Sequence, residues 1–144
     1  MKLDQNGYDA LHKREGLRLK PYLDTQGVPT IAMGNTFYLN GKKVTMKDKP
    51  LTLSEAKELG KIVADTFARD VDDLITSNVN QNQFNALVSL AYNIGINGFA
   101  KSTVFKRVNI NPNDPTIKGA FMMWTKNKEL IGRRKSEVEQ YFTK

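Results

Sequence analysis

Apolar positions recur at helical spacing along much of this 144-residue chain. The longest run, Ala56, Leu59, Val63, Phe67, Val71 and Leu74, predicts one long helix after residue 52. Thr52 followed three positions later by Glu55 is a capping-box pattern at its start. Gly60 lowers helix propensity locally, yet the apolar stripe passes through it unbroken. Phe84, Leu87, Val88, Ala91 and Ile94 form a second stripe that ends at Gly95, with Asn80 and Gln83 placed as another capping box. That segment is the predicted core helix. Tyr8, Leu11 and Glu15 share one face of a first helix over residues 6–15, with Asn6 to cap it and Gly16 to stop it. Short helices are predicted after Ser102 and after Asp114, where Pro115 suits a first helical position. Phe121 and Trp124 are predicted to pack inward. A last helix runs from Arg133 to Phe142, with Val138 and Phe142 at helical spacing.

The pattern changes between residues 17 and 46. Residues 17–23 and 28–33 read as strands, joined by a turn with Asp24 at its first position and Gly27 at its fourth. Pro21 and Pro29 lack a backbone donor, so both strands should be edges or irregular, leaving polar groups near the turn open to a ligand. Asn40-Gly41 between two short apolar runs predicts a second hairpin. These elements give an α+β fold with a small β-rich lobe at about residues 15–50 and a helical lobe at about 53–144. The long helix is expected to join the lobes, and the first helix to pack on the helical one. Without a repeat, low-complexity tract or linker, residues 1–144 read as a single domain.

Composition narrows the function classes. Lys and Arg number 22 against 15 Asp and Glu, a formal charge of +7, which favours association with polyanions such as peptidoglycan carboxylates, teichoic acids, lipopolysaccharide or nucleic acid. The basic clusters Lys13-Arg14, Lys42-Lys43 and Arg133-Arg134-Lys135 are scattered and form no nucleic-acid motif. No cysteine is present, which removes disulfides and thiol nucleophiles. The single His12 cannot build a histidine metal cluster and is expected at an exposed position on the first helix. Asp70, Asp72 and Asp73 fall within a predicted helix and lack an EF-hand pattern, so no metal or other cofactor is expected. Residues 1–10 have no apolar run of a secretory signal, and no later stretch could span a bilayer. A soluble cytoplasmic product without stable membrane insertion is expected.

Glu15, Asp24 and Thr30 carry the candidate chemistry: two carboxyl groups and a hydroxyl around one turn. A carboxyl pair held across a bound sugar is the minimum equipment for glycoside cleavage, one group giving a proton and the other activating water. Singly, Glu15 also suits a helix end, Asp24 a turn and Thr30 a strand. The run Glu15 to Ile31 nevertheless resembles the phage-type lysozymes, or endolysins, whose signature is Glu, then Asp, then Thr at this spacing. Residues 83–95 with Phe99 and Ser102-Thr103 resemble that family's central helix, and Trp124 through Ile131 to Glu137 its C-terminal block. The chain departs from the family at Ala32, where a glycine is usual, and at Asn35, where a histidine is usual.

The resemblance implies a lysozyme-like fold with a cleft between its lobes. It also implies a muramidase cutting the β-1,4 bond between N-acetylmuramic acid and N-acetylglucosamine, with inversion. Glu15 would be the general acid, Asp24 the base or electrostatic stabiliser, and Thr30 the residue that positions water. Tyr92 and Asn93 match a substrate-contacting pair, and Arg134 resembles the arginine that partners the catalytic Glu. A monomer acting on bacterial peptidoglycan is implied. It would be made in the host cytoplasm and released through the inner membrane by a separately encoded holin. The alternatives are a catalytically impaired peptidoglycan-binding module, or a basic nucleic-acid-binding protein; in the leading reading no specific nucleic acid is a partner.

Overall fold

A computed structural model describes all residues, Met1–Lys144, and the chain divides into two compact units, residues 8–65 and residues 1–7 with 66–144. In chain order the elements are α1 (Gln5–Glu15), β1 (Arg18–Leu23), β2 (Pro29–Ala32), α2 (Leu53–Leu74), α3 (Gln81–Ile94), α4 (Ile96–Lys101), α5 (Thr103–Ile110), α6 (Ile117–Phe121) and α7 (Lys128–Tyr141). The fold is mostly helical with one two-stranded antiparallel sheet. The unit boundaries fall inside α1 and α2.

In the unit of residues 8–65, Leu23 pairs with Pro29 and Tyr22 with Thr30, but Arg18 pairs with Ala32, so the register slips by two residues between Arg18 and Tyr22. Pro21 lies within that irregular stretch, where a missing backbone donor costs no ladder bond. The second hairpin forms around Asn40-Gly41, with Tyr38 N donating to Lys42 O at 2.9 Å and Gly41 N to Tyr38 O at 3.0 Å. Its pairing is a single isolated bridge, Phe37 to Lys43, and no extended strands flank the turn. Phe37 and Leu39 lie exposed, so little buried apolar surface rewards longer strands there. The core of this unit joins Ile31, Ala32, Val44, Ala56 and Leu59, with Leu17, Tyr38 and Leu51 packed on it. Gly60 is explained by the same packing: a Cβ at that position would lie 2.9 Å from Met33 Sδ, so the glycine admits a neighbour that alanine would push away.

The larger unit is built on α3, whose residues Gln83 to Ala91 are all buried and which packs against α7. Asn80 and Gln83 form the expected reciprocal cap: Asn80 Oδ1 accepts from Gln83 N at 2.8 Å, and Gln83 Oε1 accepts from Asn80 N at 2.9 Å. The box at Thr52 and Glu55 forms likewise at the start of α2. Ser102 caps α5 by accepting from Phe105 N at 3.1 Å. Three boundaries differ from expectation. Asp4, not Asn6, caps α1 by accepting from Gly7 N at 2.9 Å. Asp114 turns the chain by accepting from Thr116 N at 2.8 Å, so helix α6 starts at Ile117, past Pro115. Helix α7 starts five residues before Arg133 because Asn127 accepts from Leu130 N at 3.1 Å and supplies a cap. Phe121 is fully buried as expected, while Trp124 is only half-buried.

Candidate active site

Glu15 is the last residue of α1, half-buried. Gly16 ends the helix with φ 68°, its N–H donating to His12 O at 2.9 Å, a left-handed stop that glycine adopts without a steric penalty. Three residues after Glu15 the chain enters β1, which leads to the turn that carries Asp24. There Asp24 Oδ1 accepts from Gln26 N at 2.8 Å and from Val28 N at 2.9 Å, while Asp24 N donates to Val28 O at 3.0 Å. Two backbone donors on one oxygen hold the carboxylate in a single orientation, and Gly27, at φ 77°, lets the chain close beneath it. Thr30 is buried on β2, and its hydroxyl donates to Val28 O at 2.8 Å. Its hydrogen is thus committed to the backbone, and Oγ1 faces any further partner as an acceptor. One hairpin therefore brings Asp24 and Thr30 together through the shared residue Val28, with Glu15 in the same unit.

The two positions where the chain departs from the family pattern are both buried here. Ala32 adopts φ 58°, the left-handed region, and carries its methyl into the core. Asn35 replaces a ring but not a partner: its Nδ2 donates to Leu59 O at 3.0 Å and its Oδ1 accepts from Met33 N at 3.3 Å. The side chain ties the β2 loop to α2. His12, expected at the surface, is 7% exposed, and neither ring nitrogen has a hydrogen-bond partner. Burial pushes its pKa below the ordinary histidine value, Lys57 and Lys61 push it the same way, and Asp9 opposes them. Its position one residue after Leu11, on the inward side of α1, is the signal that composition alone did not carry.

In the larger unit Asn93, Ile94, Ser102, Met123, Trp124 and Arg134 belong to the wall of an open pocket of about 510 Å³. Arg134 is fully buried. Its Nε donates to Trp124 O at 3.0 Å, its Nη1 to Glu137 Oε1 at 2.6 Å, and its Nη2 to Asn93 Oδ1. Asn93 and Arg134, both singled out from the sequence, are thus bonded to each other. Tyr92 is elsewhere: its ring packs on Phe67 with centroids 5.1 Å apart, and it is not part of this pocket's wall. Trp124 and Met123 in the wall were not singled out as ligand contacts, nor was the buried carboxylate of Glu137. Arg133 and Arg134 stand four and three residues before Glu137, the spacing of helical ion pairs, which was the available signal. No group of three or more His, Asp or Glu is placed to hold a metal ion. No helix is long and apolar enough to cross a membrane.

A mostly helical chain with one small two-stranded antiparallel sheet has the lysozyme-like fold. The sequence pattern of phage lysozymes matches residues 12–137, and the chain belongs to the phage lysozyme family. It is similar to the endolysin of Salmonella phage P22, at 36% identity over 95% of each chain. The crystal structure of a P22 lysozyme mutant superimposes with a TM-score of 0.88 at 34% identity, covering 99% of both chains. The muramidase domain of SpmX from Asticaccaulis excentricus superimposes with a TM-score of 0.83 at 27% identity, again over 99% of both. The protein is accordingly a lysozyme-type enzyme with a lysozyme-like fold.

Proposed function

We propose that this enzyme is an endolysin-type muramidase that hydrolyses the β-1,4 bond between N-acetylmuramic acid and N-acetylglucosamine in bacterial peptidoglycan, causing lysis of the host cell. The observation that supports this reading is the Asp24–Thr30 hairpin, in which backbone donors fix Asp24 Oδ1 and the Thr30 hydroxyl is directed onto Val28 O. Glu15 gives its carboxyl proton to the glycosidic oxygen, and the C–O bond breaks with its electron pair on that oxygen. Asp24 faces the positive charge that develops on the sugar ring. A water molecule donates one hydrogen to Asp24 and the other to Thr30 Oγ1, which leaves a lone pair to attack the anomeric carbon. The new C–O bond forms as the water proton passes to Asp24. Attack from the face opposite the leaving group inverts the anomeric centre.

The pocket at Asn93 binds saccharide in this reading, with Asn93 bonding an N-acetyl group. The enzyme acts as a monomer, is made in the host cytoplasm and reaches the wall through a holin-dependent opening. Mass spectrometry of fragments released from purified peptidoglycan tests the reaction. A reducing N-acetylmuramic end is expected; an anhydro-sugar, or cleavage in the stem peptide, would overturn it. Glu15→Gln should fold as the parent does, by circular dichroism, and release no fragments. Parental turnover by that variant would remove Glu15 as the acid.

A further inference from the structure

The pocket of the larger unit contains a polar side chain whose orientation is set from behind by a buried ionic network. Arg134 and Glu137 are both 0% exposed. Glu137 Oε1 accepts from Arg134, while Oε2 accepts from Ser89 Oγ at 2.5 Å and from Arg133 Nε at 3.3 Å. Arg133 also donates to Ser89 O at 3.0 Å. A planar guanidinium has donors only, in a fixed fork. With Nε on Trp124 O, Nη1 on Glu137 and Nη2 on Asn93, all three nitrogens of Arg134 are held by acceptors from three different segments. Turning the fork would break all three bonds together.

The consequence falls on Asn93. An atom that faces an arginine nitrogen must be an acceptor, so the carboxamide presents Oδ1 to Arg134 and has Nδ2, with its two hydrogens, on the other side. Asn93 is an exposed member of the pocket wall. We infer that Glu137, acting only through Arg134, is a positioning residue that locks Asn93 as a hydrogen-bond donor and so makes this pocket select a ligand carbonyl oxygen, the 2-acetamido carbonyl of an N-acetylated sugar. This rests on the saccharide-binding reading above and adds to it the direction of the Asn93 hydrogen bond and the residue that enforces it.

Removing the negative charge of Glu137 leaves two arginines without their shared counter-ion, and the buried fork loses its strongest anchor. Asn93 can then turn its oxygen outward as readily as its nitrogen. Asn93→Asp tests the same point without disturbing the network: Arg134 keeps an acceptor, but the pocket meets a carboxylate with no donor.

The experiment compares binding of N-acetylated chitotriose and its de-N-acetylated form by titration calorimetry, together with KM and kcat on purified peptidoglycan. The parent should prefer the acetylated sugar. Asn93→Asp should lose that preference, and Glu137→Gln should reduce it about tenfold, the equivalent of one net hydrogen bond, with the loss on peptidoglycan appearing in KM more than in kcat. A residue that merely supported the fold would lower thermal stability and the active fraction, leaving the preference intact. If Glu137→Gln does not fold, Ser89→Ala, which removes one donor from Glu137, takes its place with a smaller change in the same direction. A parent without the preference, or retention of it in Asn93→Asp or in the folded Glu137 or Ser89 variant, overturns the inference. Absence of muramidase products from the parent would instead overturn the proposed function, so the two failures are separable.

Discussion

Replacing Ala32 by glycine should change stability little, whereas the same replacement at Ala56 should cost about 2 kcal/mol. The two alanines are a controlled pair: they are 1% and 0% exposed and share one apolar cluster. Each loses a buried methyl group, worth about 0.8 kcal/mol. Ala56 lies within α2, where glycine costs a further ~1 kcal/mol in backbone entropy. Ala32 differs in its backbone, at φ 58°, a conformation that costs an L-residue roughly 1–2 kcal/mol and glycine nothing. Relief of that strain offsets the lost methyl and the ~0.4–1 kcal/mol by which glycine favours the unfolded chain. The net change at Ala32 is therefore near zero, about 2 kcal/mol apart from Ala56. Urea unfolding of the two variants, compared at equal slope, measures the difference directly. Equal destabilisation at both sites would refute the left-handed assignment at Ala32 and the strain argument with it. The left-handed alanine is tolerated because the core gains its methyl.

Further outcomes follow from other local features. Asn80→Ala removes the side-chain acceptor of Gln83 N from the α3 capping box, leaving the backbone half in place, and should cost about 1 kcal/mol, read as a lower unfolding midpoint; an unchanged midpoint would mean that acceptor adds nothing to the core helix. His12, with a pKa lowered in the folded state chiefly by burial, binds a proton less readily there than in the unfolded chain. Its contribution is complete above the unfolded value of about 6.5 and is lost as pH falls through the lower folded value. Stability should therefore drop between pH 7 and pH 5 in the parent and drop less in His12→Leu. Because the chain has one histidine, its imidazole resonances report the titration without overlap, and a midpoint above 6.5 would contradict the burial argument.

Much of the architecture was legible because it is made of contacts between residues three or four apart. The boxes at Thr52–Glu55 and Asn80–Gln83 form as their spacing predicts, and the stripes through α2 and α3 lie where apolar periodicity put them. The Asp24–Gly27 turn is equally local: Asp at the first position accepts from amides two and four residues on, and Gly27 supplies the positive φ. The short second hairpin and the early start of α7 depart from the apolar pattern because exposed Phe37 and Leu39 give longer strands no burial and Asn127 caps a helix ahead of its apolar positions.

The candidate site divides along the same line. Order and spacing along the chain were enough to single out Glu15, Asp24 and Thr30, since one helix end and one hairpin carry all three. Nothing in residue type could announce that Arg134 and Glu137 would be fully buried, because such charges are almost always solvated unless paired. Their burial depends on acceptors at Trp124 and Asn93 and a donor at Ser89, which lie 10, 41 and 48 residues from their partners along the chain. The burial of His12 is illegible in the sequence for a related reason: its amphipathic ring fits either side of a helix until neighbours close over it. Short-range geometry is encoded by adjacent residues, while which polar groups lose their water, and what replaces it, is settled only when distant segments pack.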